Sequence, residues 1–274
     1  MFILNGKEYN LNDLSVLKNF KKENLIMDPY PYIIIENCLD EDIYNHLENT
    51  YPNDNLIFNE DIQKHSKIQK NIRYQINASN TLKNNNIDNI WKFFVKYHTS
   101  NEFFKQLESI FNTELLYNTK NKFKKINKNS IGIRNIDSKD ILMDCQIGIN
   151  SISNVKNCVI KPHIDNQKKI YSGLLYMKHK DDISNGGDLN LYNIKYKYSN
   201  IDEFTKIIKN NNINNLTNNH EWDLNQLKLI NTVKYKKNTF IIFLNQLNSI
   251  HSVSDREPNI YSRRLINIIS EFNI

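Results

Sequence analysis

The stretch "KPHIDNQKKIYSGLLYM", residues 161–177, decides how this chain is read. It sets His163 and Asp165 two positions apart, after Pro162 and ahead of an apolar run. In an extended strand, residues i and i+2 share a face, so an imidazole and a carboxylate reach one point while Ile164 faces away. A metal ion needs such a pair from a single strand. A strand-end His hydrogen-bonded to its neighbouring Asp has the same spelling, so the choice rests on what lies downstream.

Downstream, "NTFIIFLNQLNSIHSVSDREPNIYSRRLINII" (238–269) runs from an apolar strand to His251, through a loop, and into a second strand headed by Arg263 and Arg264. Two imidazoles and a carboxylate make the facial triad that leaves positions open on ferrous iron. A guanidinium beyond the second His adds a bidentate partner for a carboxylate.

The rest of the chain agrees with a soluble enzyme. The 274 residues are enough for one large domain with a sizeable core. A 39% hydrophobic and 11% aromatic content excludes compositional disorder despite a mean hydropathy of -0.62. The net charge of +6 comes from Lys scattered among Asn and Ile, which disfavours a nucleic-acid partner. Cys38, Cys145 and Cys158 form no CxxC pair and read as buried free thiols of a reducing compartment. With no cationic leader and no apolar run of bilayer length, a cytoplasmic protein without a membrane partner is expected.

Along the chain, "FILNGKEYNL" reads as a hairpin around Asn5-Gly6. "YPYIIIENCLDEDIYNHLENTYP" reads as a strand, an acidic helix start at Asp40–Asp42, and a helix ended by Tyr51-Pro52. Residues 86–120 carry Trp91, Phe94, Phe103, Phe104, Leu107 and Phe111 at helical spacing, in two helices broken near Thr99-Ser100. From about 130 the pattern turns to short β-branched and aromatic runs, among them "ILMDCQIGINSI", "NCVIKPHID", "GGDLNLYNIKY" and "RRLINIIS". The class is therefore α+β. A mostly helical support region spans 1–135 and a β core spans 136–274. An Asn-rich insertion or lid at about 193–235 contains the helical "IDEFTKIIKN".

"PHIDN" (162–166), "YSGLLYM" (171–177), "NGGDLNLY" (185–192), "NTFIIFLN" (238–245), "IHSVS" (250–254) and "RRLINI" (263–268) together resemble the Fe(II)- and 2-oxoglutarate-dependent oxygenases. The likeness is to their prolyl-4-hydroxylase-like branch and covers about 140–274. It implies a double-stranded β-helix, a jelly-roll or cupin-like core, with His163, Asp165 and His251 holding Fe(II). It also implies 2-oxoglutarate and O2 as cosubstrates, with an Arg of the last strand on the far carboxylate. Arg263 is favoured because it shares its face with the polar Asn267, and Arg264 stays a candidate. Tyr176, or more weakly Tyr171, is the Tyr expected to support the cosubstrate, with aromatic core packing as the other reading. The implied reaction is hydroxylation of an unactivated C–H bond with release of succinate and CO2. A carboxylate at Asp165, where related halogenases carry a small residue, favours hydroxylation over halogenation.

Other residues carry smaller expectations. Gly186-Gly187 reads as a tight turn, Gln146 and Asn150 as cross-strand hydrogen-bond formers or ligand contacts, and Asn166 as a possible neighbour of the metal. Arg256 is either a substrate contact or a solvated charge. His46, His65, His98, His179 and His220 lack partner spacing and read as surface or packed histidines. A small-molecule substrate is favoured, with a peptide or protein as the alternative, and the oligomeric state is not written in the sequence. A cupin-type metalloenzyme not using 2-oxoglutarate explains the triad but leaves the Arg pair without a task. A non-catalytic binding or scaffold protein with a degenerate oxygenase fold is disfavoured by the intact triad, since a degenerate member is expected to have lost a ligand.

Overall fold

The computed structural model describes residues 1–61, 71–117, 127, 130–166, 168–195 and 222–273. The hairpin of β1 (Phe2–Leu4) and β2 (Lys7–Tyr9) turns at Asn5 and Gly6, whose φ angles of 49° and 78° suit an Asn-Gly turn. It is a separate two-stranded sheet.

The main sheet has eight strands. Seven lie in the order β3 (Leu25–Ile26), β4 (Tyr32–Glu36), β11 (Thr239–Leu244), β8 (Lys169–Tyr176), β13 (Arg263–Phe272), β7 (Ile141–Asn150) and β5 (Arg73–Ile76), each antiparallel to its neighbours. The eighth, β6 (Ile131–Ile133), runs parallel to β7. A smaller antiparallel sheet has the order β10 (Leu227–Val233), β9 (Leu189–Ile194), β12 (His251–Val253).

Strand alternation assigns the two faces of the main sheet. Met143, Cys145, Ile147 and Ile149 of β7 are buried in one apolar cluster with α1 (Glu41–Asn49), α4 (Asn89–His98) and α5 (Asn101–Tyr117). Trp91 and Phe94 of α4 lie in it without exposure, and Trp91 Nε1 donates to Thr50 O at 3.0 Å. A second cluster joins Leu174, Tyr176, Ile241, Phe243 and Leu265 of the main sheet to Leu189, Leu191 and Val233 of the small one. The molecule is thus layered as helices, large sheet, small sheet. The helices α2 (Asp54–Glu60) and α3 (Ala78–Lys83) flank β5. Among the described residues no helix is long and apolar enough to cross a membrane.

Three features differ from the sequence expectation. Residues before 136 supply β3, β5 and β6 to the main sheet, beside the expected helices and the expected strand at β4. The expected insertion ends in a core strand: β10 pairs with β9, and Val233 and Tyr235 are buried between the sheets. Its alternation is masked by a register shift between Leu229 and Asn231 and by the exposure of Lys228 and Leu229. "NCVIKPHID" forms no continuous strand; it meets its neighbours at the isolated bridges Asn157 to Arg256 and His163 to His251 and through single backbone hydrogen bonds from Val253 N to Ile160 O and from Trp222 N to Pro162 O. The stretch "IDEFTKIIKN" lies outside the described residues.

Candidate metal centre and adjoining anion site

His163 and His251 meet across a single antiparallel bridge, each backbone N–H donating to the other's carbonyl at 3.0 Å. Their Nδ1 atoms are occupied: that of His163 contacts Lys161 O at 2.8 Å and that of His251 contacts Ser249 O at 2.9 Å. A ring N–H donated to a carbonyl puts the remaining lone pair on Nε2, the state a metal-binding imidazole needs. The rings lie 4.3 Å apart, and His251 also packs 4.5 Å from Phe243.

Asp165 completes the group. The candidate ligand atoms of His163, Asp165 and His251 all lie within 4.8 Å of one another. Asp165 Oδ2 accepts from Ser172 Oγ at 2.5 Å and pairs with Lys169 Nζ at 3.1 Å, while Oδ1 faces His163 Nε2 at 3.7 Å. Burial opposes ionisation of Asp165, but Lys169 and the two imidazoles outweigh it and hold the carboxyl well below the usual range. Burial and the neighbouring His163 push His251 down to about 3, so it is neutral at physiological pH. Two imidazoles and one carboxylate converging from one side fit a divalent transition metal. The HxD pair keeps this convergence on an irregular segment, because Asn245 Nδ2 holds Asn166 O at 2.7 Å and Lys169 O at 3.2 Å. The Asn166 side chain turns away to accept from Lys168 N. A cavity of about 90 Å³ opens beside the triad, walled by Leu174, Leu189, Phe243 and Val253 and by the polar Arg73 and Asn267.

On the inner face of the main sheet, Arg73 of β5, Asn150 of β7 and Arg263 of β13 stand in cross-strand register. Arg263 is 1% exposed, donates from Nε to Gly187 O at 2.8 Å and from Nη1 to Asn150 Oδ1 at 3.2 Å, and lies over the rings of Tyr176 and Tyr235. Gly187 adopts φ +73°, and a Cβ there would press on Arg263 Nε at 3.1 Å. Four buried polar atoms cluster here without a well-formed hydrogen bond: Arg263 Nη2, Asn150 Nδ2, Tyr176 Oη and Arg73 Nε. All can donate, so what they lack in common is an acceptor. Burial lowers Arg73 to about 10, with the facing Arg263 adding to the shift. Burial raises Tyr176 to about 12 against the opposing pull of Arg263, so it stays a protonated donor.

Arg264 points to the opposite face, its guanidinium 4.9 Å from the Tyr51 ring, and Tyr171 lies in the helix-side cluster. Gln146 bridges Asp144 at 2.7 Å and Asn267 at 2.8 Å across the strands. Arg256 is neither solvated nor in the site: it pairs with Asp182 at 2.6 Å and donates to Ser184 Oγ and Tyr261 O, tying two loops together. His98 is a core residue, His46 lies 3.7 Å from Asp88, and His179 stacks on Tyr261. His65 and His220 lie outside the described residues. Arg73, Lys169 and Ser172 were missed by sequence reasoning. The last two lie inside the opening stretch, but three positions apart, an odd spacing that a regular strand puts on opposite faces, and Arg73 sits 90 residues upstream of His163 with no local signal.

No protein-family model and no curated protein matches the chain. Among solved structures it is similar to a prolyl-4-hydroxylase from Pseudomonas putida at 10% identity and TM-score 0.43, covering 90% of this chain and 96% of that one. It is similar to a prolyl 4-hydroxylase from Phytophthora capsici at 12% identity and TM-score 0.47, covering 96% of this chain and 64% of that one. HygX from Streptomyces hygroscopicus, solved with nickel and 2-oxoglutarate bound, is similar at 8% identity and TM-score 0.42, covering 89% and 83%. At these identities and scores the likeness assigns neither a residue role nor an activity to this chain.

Proposed function

We propose that this chain is an Fe(II)- and 2-oxoglutarate-dependent oxygenase that hydroxylates an unactivated C–H bond of a small molecule. One observation carries the reading: a converging His–Asp–His triad, from the small sheet and the irregular segment before β8, faces the inner side of the main sheet, which carries buried donors that lack an acceptor. A metal explains the first and a carboxylate the second, and 2-oxoglutarate is a ligand that needs both. In this reading His163 Nε2, Asp165 Oδ1 and His251 Nε2 hold the iron. Arg263, Tyr176 and Asn150 hold the far carboxylate, and Arg264 takes no part. When bound, iron, 2-oxoglutarate and O2 supply the oxidant: one oxygen atom of O2 enters succinate as CO2 leaves, and the other becomes the hydroxyl of the product.

The chain's own residues set the conditions. The carbonyls of Lys161 and Ser249 keep both Nε2 lone pairs aimed inward, and Ser172 and Lys169 keep Asp165 ionised with Oδ1 free. Leu174, Leu189, Phe243 and Val253 keep the small cavity poor in water. The two packed sheets are, in this reading, the walls of a double-stranded β-helix, supported by their antiparallel strands and shared core. A cytoplasmic location is supported by three unpaired thiols, two of them buried.

The test is an anaerobic titration of the Fe(II)-loaded protein with 2-oxoglutarate. A weak visible metal-to-ligand charge-transfer band that is absent from His163→Ala is expected. Iron bound without the band would refute the cosubstrate and favour a cupin-type metalloenzyme.

A further inference from the structure

Two loops meet beside Arg263: residues 177–188, which join β8 to β9, and residues 254–262, which lead from the strand of His251 to the strand of Arg263. Their junction is built on an ion pair that the metal centre does not use. The Asp182 side chain has no exposure, that of Arg256 is 12% exposed, and Nη2 lies 2.6 Å from Oδ2. Asp182 Oδ1 accepts from Ser184 N at 3.0 Å, Ser184 Oγ at 2.6 Å and Asn259 Nδ2 at 3.0 Å. Arg256 donates from Nε to Ser184 Oγ at 3.0 Å and from Nη1 to Tyr261 O at 2.9 Å. Both carboxylate oxygens and all three guanidinium nitrogens are thus engaged inside the junction, and neither residue is offered to a ligand.

What the junction sets is the path of the backbone next to Arg263. Gly186 and Gly187 both adopt positive φ, +85° and +73°, and a Cβ on Gly186 would collide with Asp255 O. A Cβ on Gly187 would meet Arg256 Cδ at 3.3 Å and Arg263 Nε at 3.1 Å, so this one residue is wedged between the two arginines. Its place is held on either side by Ser254 O, which accepts from Gly187 N at 3.2 Å, and Asn185 O, which accepts from Glu257 N at 3.0 Å. Gly187 O in turn accepts from Arg263 Nε at 2.8 Å. A planar guanidinium fixed at Nε by Gly187 and at Nη1 by Asn150 has one direction left for Nη2. Both guanidinium groups also lie near the Tyr235 ring, at 5.8 Å and 4.9 Å, so the Asp182 carboxylate offsets the cation that shares that ring with Arg263.

We propose that Asp182 and Arg256 are positioning residues for the carboxylate site: their pair holds Gly186 and Gly187 in place, and Gly187 O aims Arg263 Nη2 at the far carboxylate of the cosubstrate. This rests on the oxygenase reading and adds to it the device that selects a 2-oxo acid with a second carboxylate over one without. Arg263 keeps its charge when the junction is disturbed. What it loses is direction, and a bidentate or charge-assisted hydrogen bond depends on direction.

The experiment compares 2-oxoglutarate with 2-oxobutyrate, which has the 2-oxo acid but no far carboxylate. Both are titrated by calorimetry into the full Fe(II)-loaded chain under nitrogen, as the parent, Asp182→Asn and Gly187→Ala. Asp182→Asn keeps Oδ1 for its three donors and removes the charge opposite Arg256, while Gly187→Ala sets a methyl against Arg263 Nε. The parent should prefer 2-oxoglutarate, and each variant should cut that preference by about tenfold, the worth of one misdirected charge-assisted hydrogen bond. The whole loss should fall on 2-oxoglutarate, with 2-oxobutyrate and Fe(II) affinity unchanged, whereas a merely structural role weakens all three together. Should both variants fail to fold, Arg256→Lys, which keeps a cation for Asp182 and drops the bond to Tyr261 O, is held to the same result. A parent without the preference, a ratio that survives the variants, or an equal loss for both acids overturns the proposal. The charge-transfer band is read in the same samples. A band with an unchanged ratio sinks only the role of the junction. A preference that the variants abolish but that comes without a band sinks the oxygenase reading and leaves the junction as the support of a carboxylate site.

Discussion

Replacing Arg263 should separate the two arginines of the last strand cleanly. The side chain is 1% exposed, and two of its nitrogens are spent on Gly187 O and Asn150 Oδ1, leaving Nη2 for a ligand beside Tyr176 Oη. Arg263→Ala removes one charge-assisted hydrogen bond and a cation that lies over both the Tyr176 and Tyr235 rings in the Arg73–Asn150 row. A loss of about 2–4 kcal/mol in 2-oxoglutarate affinity is expected, roughly 30- to 900-fold in Kd. Arg264 faces Tyr51 on the helix side, so Arg264→Ala should forfeit about 0.5–1 kcal/mol of stability and shift the Kd by less than about twofold. Arg263→Lys keeps the charge without the planar fork and should fall between the two. The assay is the anaerobic charge-transfer titration, with thermal melting of each variant to exclude unfolding. Equal losses in Arg263→Ala and Arg264→Ala, or none in the former, would refute the assignment of the inner face.

Ser172→Ala removes the 2.5 Å hydrogen bond that orients Asp165 and should weaken Fe(II) binding about tenfold, measured by competition with a chelator; unchanged affinity would dismiss the orienting role. Asp182→Ala leaves the Arg256 cation without its partner in a largely buried loop junction and should cost about 3–5 kcal/mol in urea unfolding, well above a surface substitution. His98 is buried neutral, accepting from Val16 N, and burial lowers its pKa to about 3. Since the unfolded chain takes up that proton below about 6.5, stability contributed by His98 is full above that pH and falls between about 6.5 and 3, by about 1.4 kcal/mol per pH unit. His98→Gln should flatten the pH 7 to pH 5 difference relative to the parent, and an unaltered slope would refute the burial argument. His251 titrates in the same sense in metal-free protein, so both proteins are compared in the same metal state.

Local chemistry was legible where one segment contains its own reason. The Asn5-Gly6 hairpin, the helix from Glu41 and the α4–α5 break at Thr99-Ser100 follow from turn geometry and apolar period. The alternation of β7, apolar at Met143, Cys145, Ile147 and Ile149 and polar at Asp144, Gln146 and Asn150, announces two unlike faces before any partner is known. The spacing of His163 and Asp165 before His251 and Arg263 likewise names a donor set by residue type alone.

What the sequence could not decide is which face is inside and which distant strand lies alongside. Parity makes Arg263 and Arg264 alternatives, and only the packing of Leu265 and Tyr176 against the small sheet turns Arg263 inward. β10 was hidden because an edge strand with a register shift buries too few of its side chains to show a period. Arg73 could not be found at all from its own segment. It gains meaning from antiparallel pairing with Asn150, which sets a residue from the first third of the chain beside the last strand. Side-chain type and spacing are local properties of a chain, whereas the acceptor a buried guanidinium lacks is a property of everything folded around it.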